Sequence, residues 1–268
     1  MLPLGNKPVL LHVVEECVAS GITDIIFVVS QHKHAIETFF SPAPMMEEYY
    51  EHMGKNEKVA EIRRITNLAN YSFVYTNFPN GNGGALLAAK HLVGKEPFVL
   101  VWGDELITCP GKPRIKQCIE TFEKYGQPVI STVKITDKKK LKLYGVAELK
   151  PFGDEKLVKK IDRIIEKPTT DDAPSQYAAH GAYILVPEIF DVFSQIKAKV
   201  GFEVFLTDLI NIMKRKTGLL AQIIKDGAYL DCGVPDCYLQ SQIEFALMHE
   251  QTKHQLLPEL KKLIKKYS

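Results

Sequence analysis

Phe98-Val99-Leu100-Val101-Trp102 is an unbroken apolar run that stops at Gly103-Asp104-Glu105. A run of this length fits a strand buried on both faces, the situation of a parallel sheet covered by helices. In open α/β sheets, ligands bind at the carboxyl ends of such strands. Asp104 therefore stands where a carboxylate meets substrate or metal, and Gly103 leaves room for close backbone approach. An aspartate that only caps the next turn looks the same in sequence, so the rest of the chain has to decide.

Around this run the chain alternates strand and helix. Val9, Leu10, Val13, Val14 and Cys17 form a helical stripe opened by Pro8 and closed by Gly21. Extended runs at 24–30, 72–76, 98–102 and 128–135 are separated by helical patterns at 35–40, 85–92 and 115–125. This rhythm predicts a parallel sheet with right-handed crossovers. Residues 42–68, with Pro42 and Pro44, read as an excursion from the core. Past Lys140 the extended segments 144–149, 158–166 and 178–186 lie close together, which predicts a mixed or antiparallel portion. Helices at 188–195, 204–216, 235–248 and 256–266 and strands at 221–225 and 228–231 complete the chain. The first helix follows directly on Met1-Leu2-Pro3-Leu4, without the strand and glycine-rich turn that open a nucleotide-binding α/β fold. Such a sheet is expected to lack a central strand or to pair around the gap.

Composition narrows the function. With 34 basic and 32 acidic residues, the net charge of +2 offers nothing that attracts nucleic acid or a membrane surface. Lys261, Lys262, Lys265 and Lys266 alternate with Leu260, Leu263 and Ile264, as on the wet face of an amphipathic helix. Five cysteines with no CxxC pair suggest neither a disulfide framework nor a zinc site. No apolar run reaches the ~18 residues of a membrane span and no signal core opens the chain, so a cytoplasmic protein is expected. His32 and His34, flanking Lys33, read as loop and helix-start residues.

Three further stretches carry chemistry. Asp231-Cys232-Gly233 repeats the design of Asp104: a carboxylate at a strand end beside a glycine. Two such carboxylates can converge on one Mg²⁺, which takes one or two protein carboxylates and fills its shell with water and phosphate oxygens; strand-end aspartates are also common without a metal. Residues 77–85, Asn-Phe-Pro-Asn-Gly-Asn-Gly-Gly-Ala, lead from a strand into a helix, where glycines and a helix N-terminus suit anionic oxygens or simply make a turn. In Glu166-Lys167-Pro168 the proline stops the strand and is expected to hold Lys167 extended. This acid and base could bind sugar hydroxyls and a phosphate, or form a surface ion pair.

In order along the chain stand Met-Leu-Pro-Leu-x-x-Lys-Pro, Ala19-Ser20-Gly21-Ile22-Thr23-Asp24, Gly81-x-Gly83-Gly84-Ala85, Gly103-Asp104 and Tyr144-Gly145-Val146. Glu166-Lys167-Pro168, Gly181-x-Tyr183, Glu203-x-x-Leu206-Thr207-Asp208 and Asp231-Cys232-Gly233 follow. With this order the chain resembles the sugar-phosphate nucleotidyltransferases, most closely their UTP–glucose-1-phosphate uridylyltransferase branch. The resemblance covers nearly the whole chain. It implies an α/β fold, a Rossmann-like three-layer sandwich with a mostly parallel central sheet and a small antiparallel sugar-binding portion. It implies one domain over 1–268, with a nucleotide-binding half over 1–140 and a sugar-phosphate half with the C-terminal helices over 141–268. The implied reaction is Mg²⁺-dependent transfer of UMP from UTP to α-D-glucose 1-phosphate, giving UDP-glucose and pyrophosphate, in a homo-oligomer (dimer or tetramer) with no nucleic-acid or membrane partner. Asp104 and Asp231 would hold Mg²⁺ and, with Lys167, be catalytic. Gly81 would approach the base or ribose, Gly145, Glu166 and Gly181 the sugar, and Lys167 its phosphate, with Thr76, Gly83, Gly103 and Glu203 also on the substrate. The chain departs from the family pattern at Thr76 and Asn77, where a Gln and a Gly are usual. A hydroxyl makes fewer directed bonds than an amide, which keeps thymidylyl or other nucleotidyl transfer as an alternative, alongside a non-catalytic sugar-nucleotide-binding subunit. The family's triphosphate loop precedes Met-Leu-Pro, so the chain as written is expected to be truncated and impaired.

Overall fold

The computed structural model describes residues 1–76, 81–109, 111–195 and 203–268. A short hairpin, β1 (Pro3–Leu4) and β2 (Lys7–Pro8), precedes α1 (Val9–Ala19), so the chain does not enter the helix directly. Pro8 sits just before the helix, extended at φ −60° and ψ 142°, rather than in its first turn. The first half continues as β3 (Asp24–Val29), α2 (His34–Phe40), α3 (Pro44–His52), α4 (Asn56–Thr66), β4 (Asn70–Tyr75), α5 (Gly81–Ala88), α6 (Lys90–Val93), β5 (Phe98–Val101), β6 (Glu105–Thr108), α7 (Arg114–Tyr125) and β7 (Val129–Lys134). The second half is β8 (Gly145–Pro151), β9 (Val158–Glu166), β10 (Tyr177–Leu185), α8 (Glu188–Asp191), α9 (Leu206–Thr217), β11 (Leu220–Ile223), β12 (Ala228–Asp231), α10 (Pro235–Met248) and α11 (Glu250–Tyr267). The excursion at 42–68 is the helix pair α3 and α4, tied by Arg63 to Glu47 and Glu51.

A six-stranded sheet in the order β5-β10-β7-β11-β9-β8 forms the centre. Side chains alternate across it, as the two-residue period of strands requires. Ile130, Tyr183, Leu185 and Ala221 face a core built with Leu86 of α5, Ile189 and Phe190 of α8, and Leu206, Leu209, Ile210 and Met213 of α9. Their neighbours Val129, Ile184 and Leu220 face the other way, onto Cys118, Ile119 and Phe122 of α7. This is the helix–sheet–helix sandwich expected from the sequence. α7 ends at Gly126, left-handed at φ 64°, whose N–H caps the Phe122 carbonyl at 2.7 Å.

The strand directions differ from the expected mostly parallel sheet: within the six strands only β7–β11 is parallel and the other pairings are antiparallel. β5 pairs antiparallel with β10, and its residues are half-buried rather than covered on both faces. The reason is long-range: β10 returns from the second half and lies between β5 and β7. Parallel pairing among the described residues is confined to β3–β4 and β7–β11. β3 and β4 form a separate two-stranded sheet. Even so, Ile25 of β3 and Val99 and Val101 of β5 pack on one cluster with Cys17, Ile115 and Ala182. The terminal lysines are exposed as expected, but so are Leu263 and Ile264, at 50% and 64%. Among the described residues no helix is long and apolar enough to cross a membrane.

Candidate active site

Two strand ends meet to make the site. β6, which begins at Glu105, runs antiparallel to β12, with Glu105 opposite Asp231. The Cys232 N–H donates to the Asp104 carbonyl at 2.9 Å and stitches the two turns together. Asp104 Oδ2 and Asp231 Oδ1 then lie 2.9 and 3.6 Å from the point a Cβ on Gly233 would occupy. Any side chain at 233 would fill the space on which both carboxylates converge. Among the described residues no group of three His, Cys, Asp or Glu could hold a metal. Two carboxylates facing an open cradle nevertheless fit Mg²⁺, which draws its other ligands from water and phosphate.

The two carboxylates are supported differently. Asp231, 8% exposed, accepts the Gly233 and Val234 N–H groups on Oδ1 at 2.9 and 3.1 Å and the Tyr144 hydroxyl on Oδ2 at 3.1 Å. It caps the turn into α10 and still faces the cradle. Asp104 is exposed on one side. Its surroundings push its carboxyl above the usual range, through burial first and then the charges of Glu105 and Asp231. The positive charge of Lys33 pulls the other way. Lys33 follows the carboxyl end of β3, so the strand-end rule that points to Asp104 points to it too, although the sequence marks it only as the residue between His32 and His34.

A second group surrounds Gly145. A Cβ there would sit 3.3 Å from Glu166 Oε2, 3.3 Å from Ile164 Cγ2 and 3.3 Å from Thr207 Cγ2. Gly145 pairs with Glu166 across the β8–β9 ladder. Burial raises the Glu166 carboxyl, with Thr207 and Lys167 opposing. Lys167 is exposed and is not extended, contrary to expectation: its φ is 45°. Its N–H donates to the Tyr144 carbonyl at 3.0 Å, and this bond holds the turn that the proline alone did not dictate. A left-handed non-glycine residue costs about 1–2 kcal/mol, and such strain collects where function demands a position.

A third group lies at the start of α5. Gly81, at φ 76°, and Gly83 carry no Cβ because Val204 O would lie 2.8 and 2.7 Å from it. The Gly83 N–H donates to Val204 O, and Asn82 Oδ1 accepts from the Leu206 N–H, both at 2.9 Å. The close approach these glycines permit is thus made by the chain itself. Glu203 is exposed beside Gly81. Thr76 follows β4 and donates its N–H to Val29 O at 2.9 Å. Asn77 and the Phe78-Pro79-Asn80 part of the glycine-rich stretch lie outside the described residues. Gly103 abuts Leu10, whose Cδ1 would stand 2.9 Å from a Cβ there.

Gly181 is buried at φ 79°, and a Cβ on it would collide with Arg114 Nη1 at 1.8 Å. Arg114, fully buried, donates from Nε to Glu16 at 3.1 and 3.2 Å. Beside it Glu105 takes His180 Nδ1 at 2.7 Å and the Tyr229 hydroxyl at 3.2 Å. Burial raises the Glu105 carboxyl, but His180, Arg114 and Tyr229 outweigh it and the net direction is down. Nothing local in the sequence announces this buried network, because its members come from distant stretches of the chain and form no motif of spaced ligands.

A family profile described as nucleotidyl transferase matches residues 1–246, and the chain belongs to that family. It is 31% identical over 266 residues to a UTP–glucose-1-phosphate uridylyltransferase of Bacillus subtilis, covering 99% of this chain and 88% of that protein. It is 36% identical over 262 residues to one of Streptococcus pyogenes, covering 96% and 84%. Among solved structures, a UTP-bound UDP-glucose pyrophosphorylase of Acinetobacter baumannii superposes with a TM-score of 0.85 at 26% identity, covering 100% of this chain and 91% of that one.

Proposed function

We propose that this nucleotidyltransferase moves UMP from UTP to α-D-glucose 1-phosphate, releasing pyrophosphate and forming UDP-glucose, with Mg²⁺ held by Asp104 and Asp231. The observation that carries the reading is the convergence of both carboxylates on the cradle over Gly233. The names of the relatives support uridylyl transfer to this sugar phosphate. A phosphate oxygen of glucose 1-phosphate attacks the α-phosphorus in line, and the bond from that phosphorus to the bridging oxygen breaks, so pyrophosphate leaves with the electron pair. Bound Mg²⁺ would neutralise charge on the phosphate oxygens. The chain's own residues position the reactants, which is most of what phosphoryl chemistry asks of a protein. Lys167 pairs with the sugar's phosphate, and Glu166 accepts hydroxyls of the sugar that rests against Gly145 and near Gly181. Thr76, Gly81, Gly83 and Glu203 border the nucleotide, Gly103 leaves the backbone beside Asp104 open, and Lys33 faces the triphosphate.

The same reading makes the protein cytoplasmic and self-associating, with Ile243, Leu263, Ile264 and Tyr267 exposed on α10 and α11 as apolar surface for a second copy. The test is phosphorus NMR of the chain with Mg²⁺, glucose 1-phosphate and one of UTP, dTTP, ATP or GTP, beside UDP-glucose binding by calorimetry. Slow formation of UDP-glucose and pyrophosphate, from UTP in preference to the other nucleotides, is expected. Preference for dTTP would overturn the uridylyl assignment. UDP-glucose binding with no turnover of any nucleotide would favour a binding subunit instead.

A further inference from the structure

Resting on the assignment of Asp104, Asp231 and Lys167 above, we infer that Tyr144 is a positioning residue that couples the metal carboxylate to the sugar-phosphate lysine. Its hydroxyl donates to Asp231 Oδ2 at 3.1 Å. Its carbonyl accepts the Lys167 N–H at 3.0 Å. The next residue, Gly145, faces Glu166. Tyr144 therefore touches both Asp231 and Lys167, through two different groups of atoms, and its neighbour Gly145 meets Glu166.

The side chain is itself held firmly. Tyr144 is 6% exposed, and its ring stands edge-on to His180 at 4.4 Å and to Tyr229 at 5.6 Å between centroids. His180 and Tyr229 are both bound to Glu105. The three rings form a wedge between two carboxylates, Glu105 on one side and Asp231 on the other. Each tyrosine hydroxyl satisfies one of them. Hydrogen bonds to a charged group are the strong class, and Asp231 Oδ2 engaged by the hydroxyl leaves the carboxylate a single orientation, with Oδ1 toward the Gly233 cradle. The backbone of the same residue fixes the turn that lifts Lys167 into its left-handed conformation. A cation at Asp231 and a phosphate at Lys167 are thus registered to each other by one ring and one peptide.

Two roles on different atoms can be separated. Tyr144→Phe removes the hydroxyl, keeps the ring contacts that hold the fold, and leaves the carbonyl on Lys167 intact. The experiment is Mn²⁺ binding by electron paramagnetic resonance, beside UDP-glucose binding by calorimetry in EDTA and the thermal midpoint, for the unchanged chain, Tyr144→Phe, Tyr229→Phe and Asp104→Asn. Tyr144→Phe is expected to weaken Mn²⁺ about tenfold, the scale of one charge-assisted hydrogen bond, and to leave metal-free UDP-glucose affinity within about twofold. Tyr229→Phe, whose hydroxyl serves Glu105, is expected to change Mn²⁺ affinity far less. A purely structural tyrosine would lower the thermal midpoint with Mn²⁺ affinity unchanged, and that result overturns the inference. Equal loss in both tyrosine variants, or loss of UDP-glucose rather than Mn²⁺ binding, overturns it as well. If Asp104→Asn leaves Mn²⁺ binding untouched, it is the metal assignment that fails, and the two failures are distinguishable.

Discussion

The turns after β5 and β12 look alike in sequence, an aspartate beside a glycine at a strand end, but they are built differently. Asp231 is enclosed and held by three donors before any ligand arrives. Asp104 has an open face and a carboxyl raised above its ordinary range, without such a cage. One carboxylate is pre-set and the other is free to adjust. A cation brought by a phosphate substrate would therefore meet one fixed ligand and one that closes on it. Stability and binding should part company between the two positions.

Asp231→Asn gives the largest effect, because it touches both. The amide nitrogen cannot accept, so at least one of the three donors loses its partner, at about 1–3 kcal/mol for a buried group. Mn²⁺ affinity should fall at least tenfold and the thermal midpoint by several degrees, read by resonance titration and scanning calorimetry. Asp104→Asn comes next. It should cost a similar factor in Mn²⁺ affinity while leaving the midpoint equal or higher. The raised carboxyl means the fold disfavours its charge, and at pH 7 the amide removes that charge. A midpoint drop equal to that of Asp231→Asn would erase the contrast.

Glu105→Gln sharpens it from behind. The Glu105 carboxyl is lowered in the folded state. Its contribution to stability is therefore full above the ordinary glutamate value of about 4.3 and is lost as pH falls through its lower folded value. Denaturant midpoints measured from pH 7 to pH 3 should fall less steeply in the variant than in the unchanged chain. An identical acid limb would show that the His180 pairing contributes nothing. Lys33→Ala is the smallest: an exposed charge, screened by salt, should cost about two- to threefold in UTP affinity at low ionic strength and less in 0.15 M salt.

Much of this was legible in the sequence because it is local. The strand–helix rhythm, the turns at Asp104 and Asp231 and the end of β9 at Glu166, just before Lys167-Pro168, follow from periodicity and backbone chemistry within a few residues. What escaped depends on partners far along the chain. β6 was hidden because Glu105–Thr108 follows a turn and pairs with β12, more than a hundred residues on. β5 was expected in a parallel sheet because nothing near it announces β10 as its neighbour. Lys167 was expected to be extended because proline speaks only for its own neighbour's sterics, whereas a bond to Tyr144 O sets the turn. The missing Cβ atoms of Gly81, Gly83 and Gly181 make room for Val204 and Arg114, partners that nothing in the local sequence announces. The pair of strand-end carboxylates was readable as a pattern, but its asymmetry was not, since Tyr144 reaches Asp231 across the fold.

The most direct measurement is a Mn²⁺ titration, followed by electron paramagnetic resonance, of the unchanged chain and of Asp104→Asn and Asp231→Asn, each with UTP present. If one cation site joins the two turns, the unchanged chain sequesters one Mn²⁺ and either single substitution releases it. Retention of the bound signal in both variants would contradict the shared site.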